Sequence, residues 1–210
     1  VLGGVEWNPQ HGEVKKYLPI MKNSNWKVEK FVIGLQWPTT MDFIENDILI
    51  LEKNSGNVRL VRDGVLQEKV VLTVNVNYVG ERGLIGILTI DSFVYLFFTE
   101  SENNGKILEN RIYKYRFDGE KLVEPELLHN FPLGIDGIHN GGVLAKNKDN
   151  QIFVIVGDNH NEKGIFQNNP SSMETEDRGI VKEITGGEYY AIGIRNSFGL
   201  TVDSQTGNLW

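Results

Sequence analysis

The sequence predicts an all-β fold made of repeated small sheets, and three observations support this prediction. Helical periodicity is nearly absent from the 210 residues, of which 40% are hydrophobic. Short runs rich in Val, Ile, Leu, Phe and Tyr are separated by Gly, Asn and Asp, as in proteins with many short strands. One pattern of strand, polar turn and strand also recurs along the chain. A chain of this length can bury one sizeable core.

The strands are predicted from apolar runs and from the turns that separate them. Asp63-Gly64 and Asp118-Gly119 supply the left-handed backbone that tight hairpins require. Polar insertions occupy residues 101–108 and 159–177, and the second is long enough to be a functional loop. The predicted strands are residues 30–33, 40–43, 48–52, 58–62, 83–90, 94–99, 111–117, 142–144, 152–156, 179–184, 189–193 and 199–202.

The repeated unit is a short apolar strand, a polar turn and a second apolar strand. It occurs at residues 40–51, 86–96, 142–155 and 199–210, at intervals of roughly 45 to 60 residues, near the spacing of four-stranded propeller blades. Residues 1–210 are therefore predicted to form one partial β-propeller domain of three to four blades, with residues 1–30 as a lead-in. Because so few blades cannot close a ring, we expect the protein to continue after Trp210.

Composition excludes several classes of function. The net charge of −7 argues against a nucleic-acid surface, and no apolar stretch approaches the roughly 20 residues of a membrane helix. The chain has no cysteine, which excludes disulfides, thiolate catalysis and Cys-ligated zinc. Phosphate-loop, H-E-x-x-H, dinucleotide-binding and nucleophilic-serine motifs are also absent.

His139 is the histidine with the most suggestive surroundings, in contrast to His11, His129 and His160. It precedes a predicted inner strand within a glycine-rich segment, at a place that lines the axial mouth of a propeller. There it is placed to act as a general base. Asp158 follows the next strand, so it returns to the same end of the sheet and is a candidate to orient the ring of His139. The alternative, that Asp158 only begins the next loop, stays open.

Two further polar clusters occupy corresponding positions in neighbouring repeats. Arg195 and Asn196 suit carboxylates, quinone oxygens or developing negative charge, although a salt-bridged structural arginine is the alternative. Glu81 and Arg82 lie one blade earlier, and the alternative for them is a simple ion pair. The loop at residues 158–162 carries oxygen ligands but lacks the spacing of a calcium loop, so we interpret it as solvated.

Taken together, these motifs resemble the glucose/sorbosone dehydrogenase family, the soluble PQQ-dependent glucose and aldose sugar dehydrogenases. They occur in the family's order over about residues 35–210, and five in order are quite specific. The segment that resembles the start of the family's first blade is Trp37-Pro38-Thr39-Thr40-Met41. The others are Gly80-Glu81-Arg82-Gly83-Leu84-Ile85-Gly86, His139-Asn140-Gly141-Gly142, Val156-Gly157-Asp158, and Gly193-Ile194-Arg195-Asn196 followed by Gly199-Leu200 and Asp203.

The resemblance implies a six-bladed β-propeller that binds pyrroloquinoline quinone (PQQ) with calcium and oxidises aldoses to lactones. It implies that His139 takes the proton of the anomeric hydroxyl and that Asp158 orients His139. Arg195 and Asn196 would contact the quinone oxygens, and Glu81 would lie near the sugar. The calcium loop is expected beyond Trp210, so these 210 residues alone are not expected to bind quinone or turn over.

The resemblance further implies a sugar substrate, an electron acceptor, and an extracellular or periplasmic location. Departures from the family pattern are Ile138 in place of an acidic residue, Val143 in place of arginine, and Ser197 in place of proline. These departures keep a second hypothesis open, a non-catalytic propeller that binds a glycan or a protein. A third, a lactonase-type hydrolytic propeller, requires an axial cage of carboxylates, for which the axial positions offer only Glu81 and Asp158.

Overall fold

The computed structural model describes residues 21–23, 25–102, 105–160 and 176–210. The chain forms two compact units, residues 1–33 and 34–210. The described part of the first unit contains no strand, so the prediction of a strand at residues 30–33 is wrong. Phe31 and Ile33, in the apolar run Phe31-Val32-Ile33, are 63% and 69% exposed.

The second unit contains three antiparallel sheets, formed by successive segments of the chain. The described residues of this unit contain no α-helix, and nothing in them is long and apolar enough to cross a membrane as a helix. The first sheet comprises β1 (Pro38–Ile44), β2 (Asp47–Glu52), β3 (Asn57–Arg62), β4 (Val65–Leu66) and β5 (Leu72–Thr73). The second comprises β6 (Leu84–Ile90), β7 (Phe93–Ser101), β8 (Ile107–Phe117) and β9 (Leu122–Phe131). The third comprises β10 (Leu144–Lys146), β11 (Ile152–Val156), β12 (Ile180–Glu183) and β13 (Tyr189–Ile192).

Each of the three sheets begins with one of the strands β1, β6 and β10, and these strands lie along one shared cavity. The cavity has a volume of about 720 Å³ and is also bordered by residues 200–202. Side chains join the inner strands: the Asp42 carboxylate accepts hydrogen bonds from the Thr89 amide at 2.7 Å and from its hydroxyl at 3.0 Å. The three sheets are therefore arranged as consecutive blades around an axial cavity.

The hydrophobic core lies between the sheets. One buried cluster joins the first and second sheets and includes Leu49, Leu51 and Leu96, which are fully buried. A second joins the second and third sheets and includes Phe97 and Val154. Apolar side chains therefore pack on both faces of the second sheet, as expected for sheets that pack face to face.

Most of the predicted strands coincide with observed strands, and the exceptions lie at the edges. The prediction for residues 199–202 is wrong as a strand, since only an isolated bridge joins Val202 to Leu209. Strands β4, β5 and β9 were not predicted. The predicted hairpin turn at Asp63-Gly64 is confirmed, with φ of 51° and 75°.

Glu52 is a buried carboxylate at the end of β2 and is 2% exposed. It accepts hydrogen bonds from the Gln36 amide at 2.8 Å, from Asn57 Nδ2 and Ser55 Oγ at 3.1 Å, and from the Arg59 guanidinium at 3.3 Å. Burial alone would raise the pKa of Glu52, but these hydrogen bonds and the charge of Arg59 outweigh burial and hold the pKa below its usual range.

Acid should therefore destabilise the protein in part through Glu52. Its folded pKa is lower than its ordinary value of 4.5, so its contribution is present above that value and is lost as pH falls through the folded pKa. We expect the free energy of unfolding of Glu52→Gln to fall less steeply with decreasing pH than that of the wild type, because the amide does not titrate. Urea unfolding of the full-length protein at a series of pH values below neutrality measures this. Equal pH slopes in the two proteins would contradict it.

Candidate functional site

His139 lies in the loop between β9 and β10 and is 4% exposed. Its backbone is left-handed, with φ of 56°, a conformation uncommon for a residue other than glycine and one that surrounding contacts must hold. Its amide donates to Glu81 Oε2 at 2.6 Å, and its carbonyl accepts from the Asn159 amide at 3.2 Å. The polypeptide on both sides of the imidazole is thus fixed by neighbouring segments.

Asp158 binds the ring of His139. Its Oδ1 lies 2.7 Å from His139 Nδ1, and the two side chains are 3% and 6% exposed. An ionised carboxylate only accepts hydrogen bonds, so His139 carries a proton on Nδ1 and its Nε2 presents a lone pair. Asp158 reaches this position because β11 ends at Val156 and returns the chain to the end where the His139 loop begins. Of the two interpretations left open by the sequence, the structure shows the pair.

Glu81 joins the loop of His139 to two other segments, the approach to β6 and the segment after β13 that contains Asn196. Glu81 lies on the approach to β6, and besides His139 it accepts from Asn196 Nδ2, with distances of 3.1 Å to Oε2 and 3.4 Å to Oε1. Asn196 Oδ1 is buried and has no hydrogen-bond partner in the described chain. A buried acceptor of this kind ordinarily has a donor, so Asn196 offers a binding position for a hydroxyl or amine group.

The backbone of Arg195 binds within the site, whereas its side chain is exposed. Its carbonyl accepts from the Asp158 amide at 2.8 Å, which joins the last segment of the site to the residue that orients His139. Its side chain is exposed and forms no ion pair or hydrogen bond within the described ranges. The salt-bridged alternative therefore finds no partner there, and the guanidinium remains available to an anionic or carbonyl-bearing ligand.

Arg82 contacts the loop that leads to His139 and does not form the ion pair with Glu81 that the sequence left open. It is 4% exposed, and its guanidinium donates to the Gly134 carbonyl. Burial lowers the pKa of Arg82, and the charge of Asp136 acts in the opposite direction. Arg82 Nε is buried without a hydrogen-bond partner among the described residues. Arg82 thus fixes the approach to His139 from the neighbouring sheet.

A buried chain of amides, which the sequence analysis missed, supports the same loop. Asn140 Nδ2 donates to the Gly137 carbonyl at 2.8 Å, and its Oδ1 accepts from Asn110 Nδ2 at 3.4 Å. Asn110 Oδ1 in turn accepts from the Thr99 hydroxyl at 2.6 Å. In the sequence, this network is indicated only by polar residues within two apolar strands, Thr99 in β7 and Asn110 in β8. This network anchors the candidate base to the centre of the second sheet.

The axial cavity borders the site on the side of Glu81. Lys53, Glu81, Gly141 and Val143 are among its lining residues, and they bring two opposite charges to its wall. Burial lowers the pKa of Lys53, and the nearby charge of Glu81 opposes this effect. His139 lies behind the wall rather than in it. The cavity is therefore large and polar enough for a small hydrophilic ligand beside the His139 loop.

The sequence candidates Glu81, His139, Asp158, Arg195 and Asn196 thus lie together at one end of the three sheets. Their grouping depends on contacts between segments as much as 115 residues apart. Such an arrangement can accept a proton at His139, bind hydroxyl groups at Glu81 and Asn196, and stabilise negative charge at Arg195. The residue His11 and most of the insertion at residues 159–177 lie outside the described residues.

Comparison with known proteins identifies relatives of the chain. A family model described as glucose/sorbosone dehydrogenase matches residues 35–210. An uncharacterized protein of Synechocystis is 27% identical over an alignment 220 positions long, and the alignment covers 88% of this chain and 53% of that protein. A crystal structure from Thermus thermophilus, assigned as an oxidoreductase (glucose dehydrogenase), superposes with a TM-score of 0.72 at 25% identity and covers 87% of this chain and 60% of its own.

A second solved structure is the PQQ-bound form of an aldose sugar dehydrogenase from Streptomyces coelicolor. It superposes with a TM-score of 0.69 at 25% identity and covers 87% of this chain and 57% of its own. The chain therefore spans a little over half the length of these relatives. Its three sheets are blades of the propeller fold that they share. The family match extends over most of the chain, and the chain belongs to the glucose/sorbosone dehydrogenase family.

Proposed function

We propose that the full-length protein oxidises the anomeric hydroxyl of aldose sugars to the lactone, with His139 as general base and PQQ as electron acceptor. The observation that carries the proposal is the buried pair of His139 and Asp158, joined at 2.7 Å beside the axial cavity. Family membership and the two dehydrogenase structures support the same chemistry. The chain spans only part of its relatives, so the activity is assigned to the whole protein.

The chemistry of the base follows from the geometry of His139. With Nδ1 bound to Asp158, Nε2 takes the proton of the anomeric hydroxyl as the C1–H bond is broken. Asp158 stabilises the imidazolium that forms and keeps the ring in the required tautomer. Glu81, which is held by hydrogen bonds from the His139 amide and from Asn196 Nδ2, is placed to bind a sugar hydroxyl group and to orient C1. When bound, the quinone supplies the two-electron acceptor for the hydride.

The residues present fit a quinone of this type. PQQ bears carboxylates and quinone oxygens, and the exposed guanidinium of Arg195 has no partner within the described ranges. We assign Arg195 and Asn196 to the contacts with the cofactor, as the resemblance implies. Among the described residues, no group of three or more His, Asp or Glu side chains is placed to hold a metal ion. The calcium ion stays a prediction.

The departures from the family pattern favour a second candidate, a propeller that binds a glycan or a protein without turnover. Val143 lines the cavity, where the family often has an arginine, so one cationic contact to a ligand is replaced by an apolar one. Phe198, beside Ser197, is 71% exposed and also borders the cavity. An exposed aromatic ring beside a polar cavity is a common platform for sugar binding.

Dye reduction by the full-length protein tests the proposed function. The protein is incubated with PQQ and calcium, and a panel of aldoses is compared with their 1-deoxy analogues, which have no anomeric hydroxyl. We expect dye reduction with aldoses and none with the analogues, because only the aldoses offer the proton that His139 removes. A folded protein that binds sugars without reducing dye in any condition would contradict the dehydrogenase and favour the binding propeller.

We also propose that the protein acts outside the cytoplasm, as the resemblance implies for this family. Fractionation of the source cells, followed by immunoblotting of the full-length protein, tests this location. Recovery with the cytoplasmic fraction alone would contradict it.

A further inference from the structure

A second histidine–carboxylate pair lies beside the first and has no role in the mechanism described above. His160 Nδ1 binds Asp136 Oδ2. Asp136 belongs to the loop that leads to His139, whereas His160 follows Asp158 by two residues. The side chains of His160 and Asp136 are 50% and 43% exposed, whereas that of His139 is 6% exposed. One pair is therefore buried and the other faces water.

The two pairs share a carboxylate oxygen and a ring contact. Asp158 Oδ1, which binds His139 Nδ1, also accepts from the His160 amide at 2.9 Å. The imidazole rings of His139 and His160 lie edge to face, with centroids 5.5 Å apart and planes inclined by 72°. The nitrogens of two imidazole rings in contact can be bridged by one water molecule, which can carry a proton between them. The pairs thus form one continuous polar unit from the buried base to the surface.

The backbone at His160 is held in an unfavourable conformation that produces this contact. Asn159 and His160 have φ of 54° and 50°, so two consecutive residues other than glycine are left-handed. Two hydrogen bonds hold Asn159. Its backbone amide donates to the His139 carbonyl, and its Nδ2 donates to the Pro132 carbonyl at 3.0 Å. Strain of this kind persists where the surrounding contacts impose it, and it is concentrated at functional sites.

We propose that His160, paired with Asp136, receives the proton that His139 removes from the substrate and releases it to water. The inference rests on the proposed function, since it follows the same proton. A base that is 6% exposed must lose its proton before each new turnover, and the sugar and the cofactor occupy the side of the cavity. In the transfer the N–H bond of His139 breaks, that of His160 forms, and His160 then loses its proton to solvent. No electron moves in these steps.

The charges around His160 favour its role as an acceptor. Asp136 binds its ring and Asp158 binds its amide, whereas Glu81 binds the amide of His139 and the Arg195 carbonyl binds the amide of Asp158. The hydrogen bond from His160 holds the pKa of Asp136 below its usual range, so Asp136 is ionised and accepts from His160 Nδ1. The charges of Arg82 and Asp136 also interact, which places one cation near this pair.

The first test needs no cofactor. The exchange of the Nε2–H proton of protonated His139 with solvent is measured by NMR at acidic pH in the full-length apo protein labelled with ¹⁵N-histidine. We expect His160→Gln to slow exchange by about tenfold or more, because glutamine binds Asp136 but cannot carry a proton. Asp136→Asn should slow it less. Unchanged or faster exchange in His160→Gln, the result of a purely structural role, would overturn the proposal.

The second test separates the relay from the proposed function. With PQQ, calcium and aldose, we expect His160→Gln to lower kcat about tenfold at low buffer concentration with KM unchanged. Concentrated imidazole buffer should restore kcat, and oxidation of the first equivalent of sugar should stay at the wild-type rate. A loss of kcat that buffer does not restore would overturn the relay. If the wild type oxidises no sugar, the proposed function fails, and the exchange measurement still decides whether His160 carries the proton.

Discussion

Replacement of His139 by alanine should lower kcat for sugar oxidation by roughly 10²- to 10⁴-fold, the range that a positioned general base contributes. The proton of the anomeric hydroxyl then has no acceptor, whereas the cavity and the groups that bind sugar are retained. The KM for the sugar should therefore change much less than kcat. Steady-state dye reduction by the full-length protein measures both constants.

Two variants make this result specific to the base. Asp158→Asn keeps the size of the side chain but removes the ionised acceptor from His139 Nδ1, so we expect a loss of kcat of similar order. His129→Ala is the matched control. His129 forms a comparable pair with Asp177, with 3.1 Å between Nε2 and Oδ2, and neither residue lines the cavity. Its kcat should stay within about twofold of the wild type. Equal kcat values in His139→Ala and His129→Ala would exclude His139 as the base.

Gly157→Ala should disrupt the candidate site and destabilise the protein together. A Cβ at this position would overlap the His139 carbonyl oxygen, lie 2.7 Å from the carbonyl carbon and lie 3.0 Å from the Arg195 carbonyl oxygen. These neighbours are backbone atoms, which cannot rotate away as a side chain does. We expect the free energy of unfolding to fall by more than about 2 kcal/mol, within or above the range for overpacked sites, and kcat to fall in the remaining folded protein.

Gly199→Ala is the control for Gly157→Ala. Neither glycine has a left-handed backbone, and a Cβ at Gly199 would meet no atom within 4 Å. The control should therefore change the free energy of unfolding by less than about 0.5 kcal/mol. Thermal and urea unfolding of both variants, alongside sugar oxidation, provide the comparison. Equal stability of the two variants would show that the chain relaxes at Gly157 and that the close approach is not required.

The sequence predicted the most buried strands well and missed β4, β5 and β9. Strands such as β6 and β11 are largely buried on both faces, so they are read as apolar runs. The outer strand β9 has exposed residues along its centre and contains Pro125, which an edge strand tolerates because the N–H that proline lacks is not needed on the open side of the sheet. Its composition therefore resembles that of a loop. Residues 30–33 show the opposite error, an apolar run that forms no strand.

The site could be predicted only as a set of candidates. The glycine-rich segment around His139 and the position of Asp158 after a strand indicated which residues meet at one end of the blade. The sequence could not show that Arg82 binds the Gly134 carbonyl instead of Glu81, because the direction of a side chain depends on loops from other sheets. His160 was interpreted as solvated for the same reason, although its spacing of two residues from Asp158 was a usable signal.

The bonds of the His139 loop to distant segments have a consequence for synthesis of the chain on the ribosome. The His139 amide donates to Glu81, which lies 58 residues earlier in the chain. The side-chain amide of Asn196, which also donates to Glu81, lies 57 residues after His139. Folding proceeds from the N-terminus as the chain emerges, so the imidazole is made, and remains hydrated, well before its surroundings exist. The hydrogen-bonded surroundings of His139 are therefore completed late, when the segment after β13 docks. A nascent chain arrested before that point would hold the His139–Asp158 pair without the bond from Asn196 to Glu81.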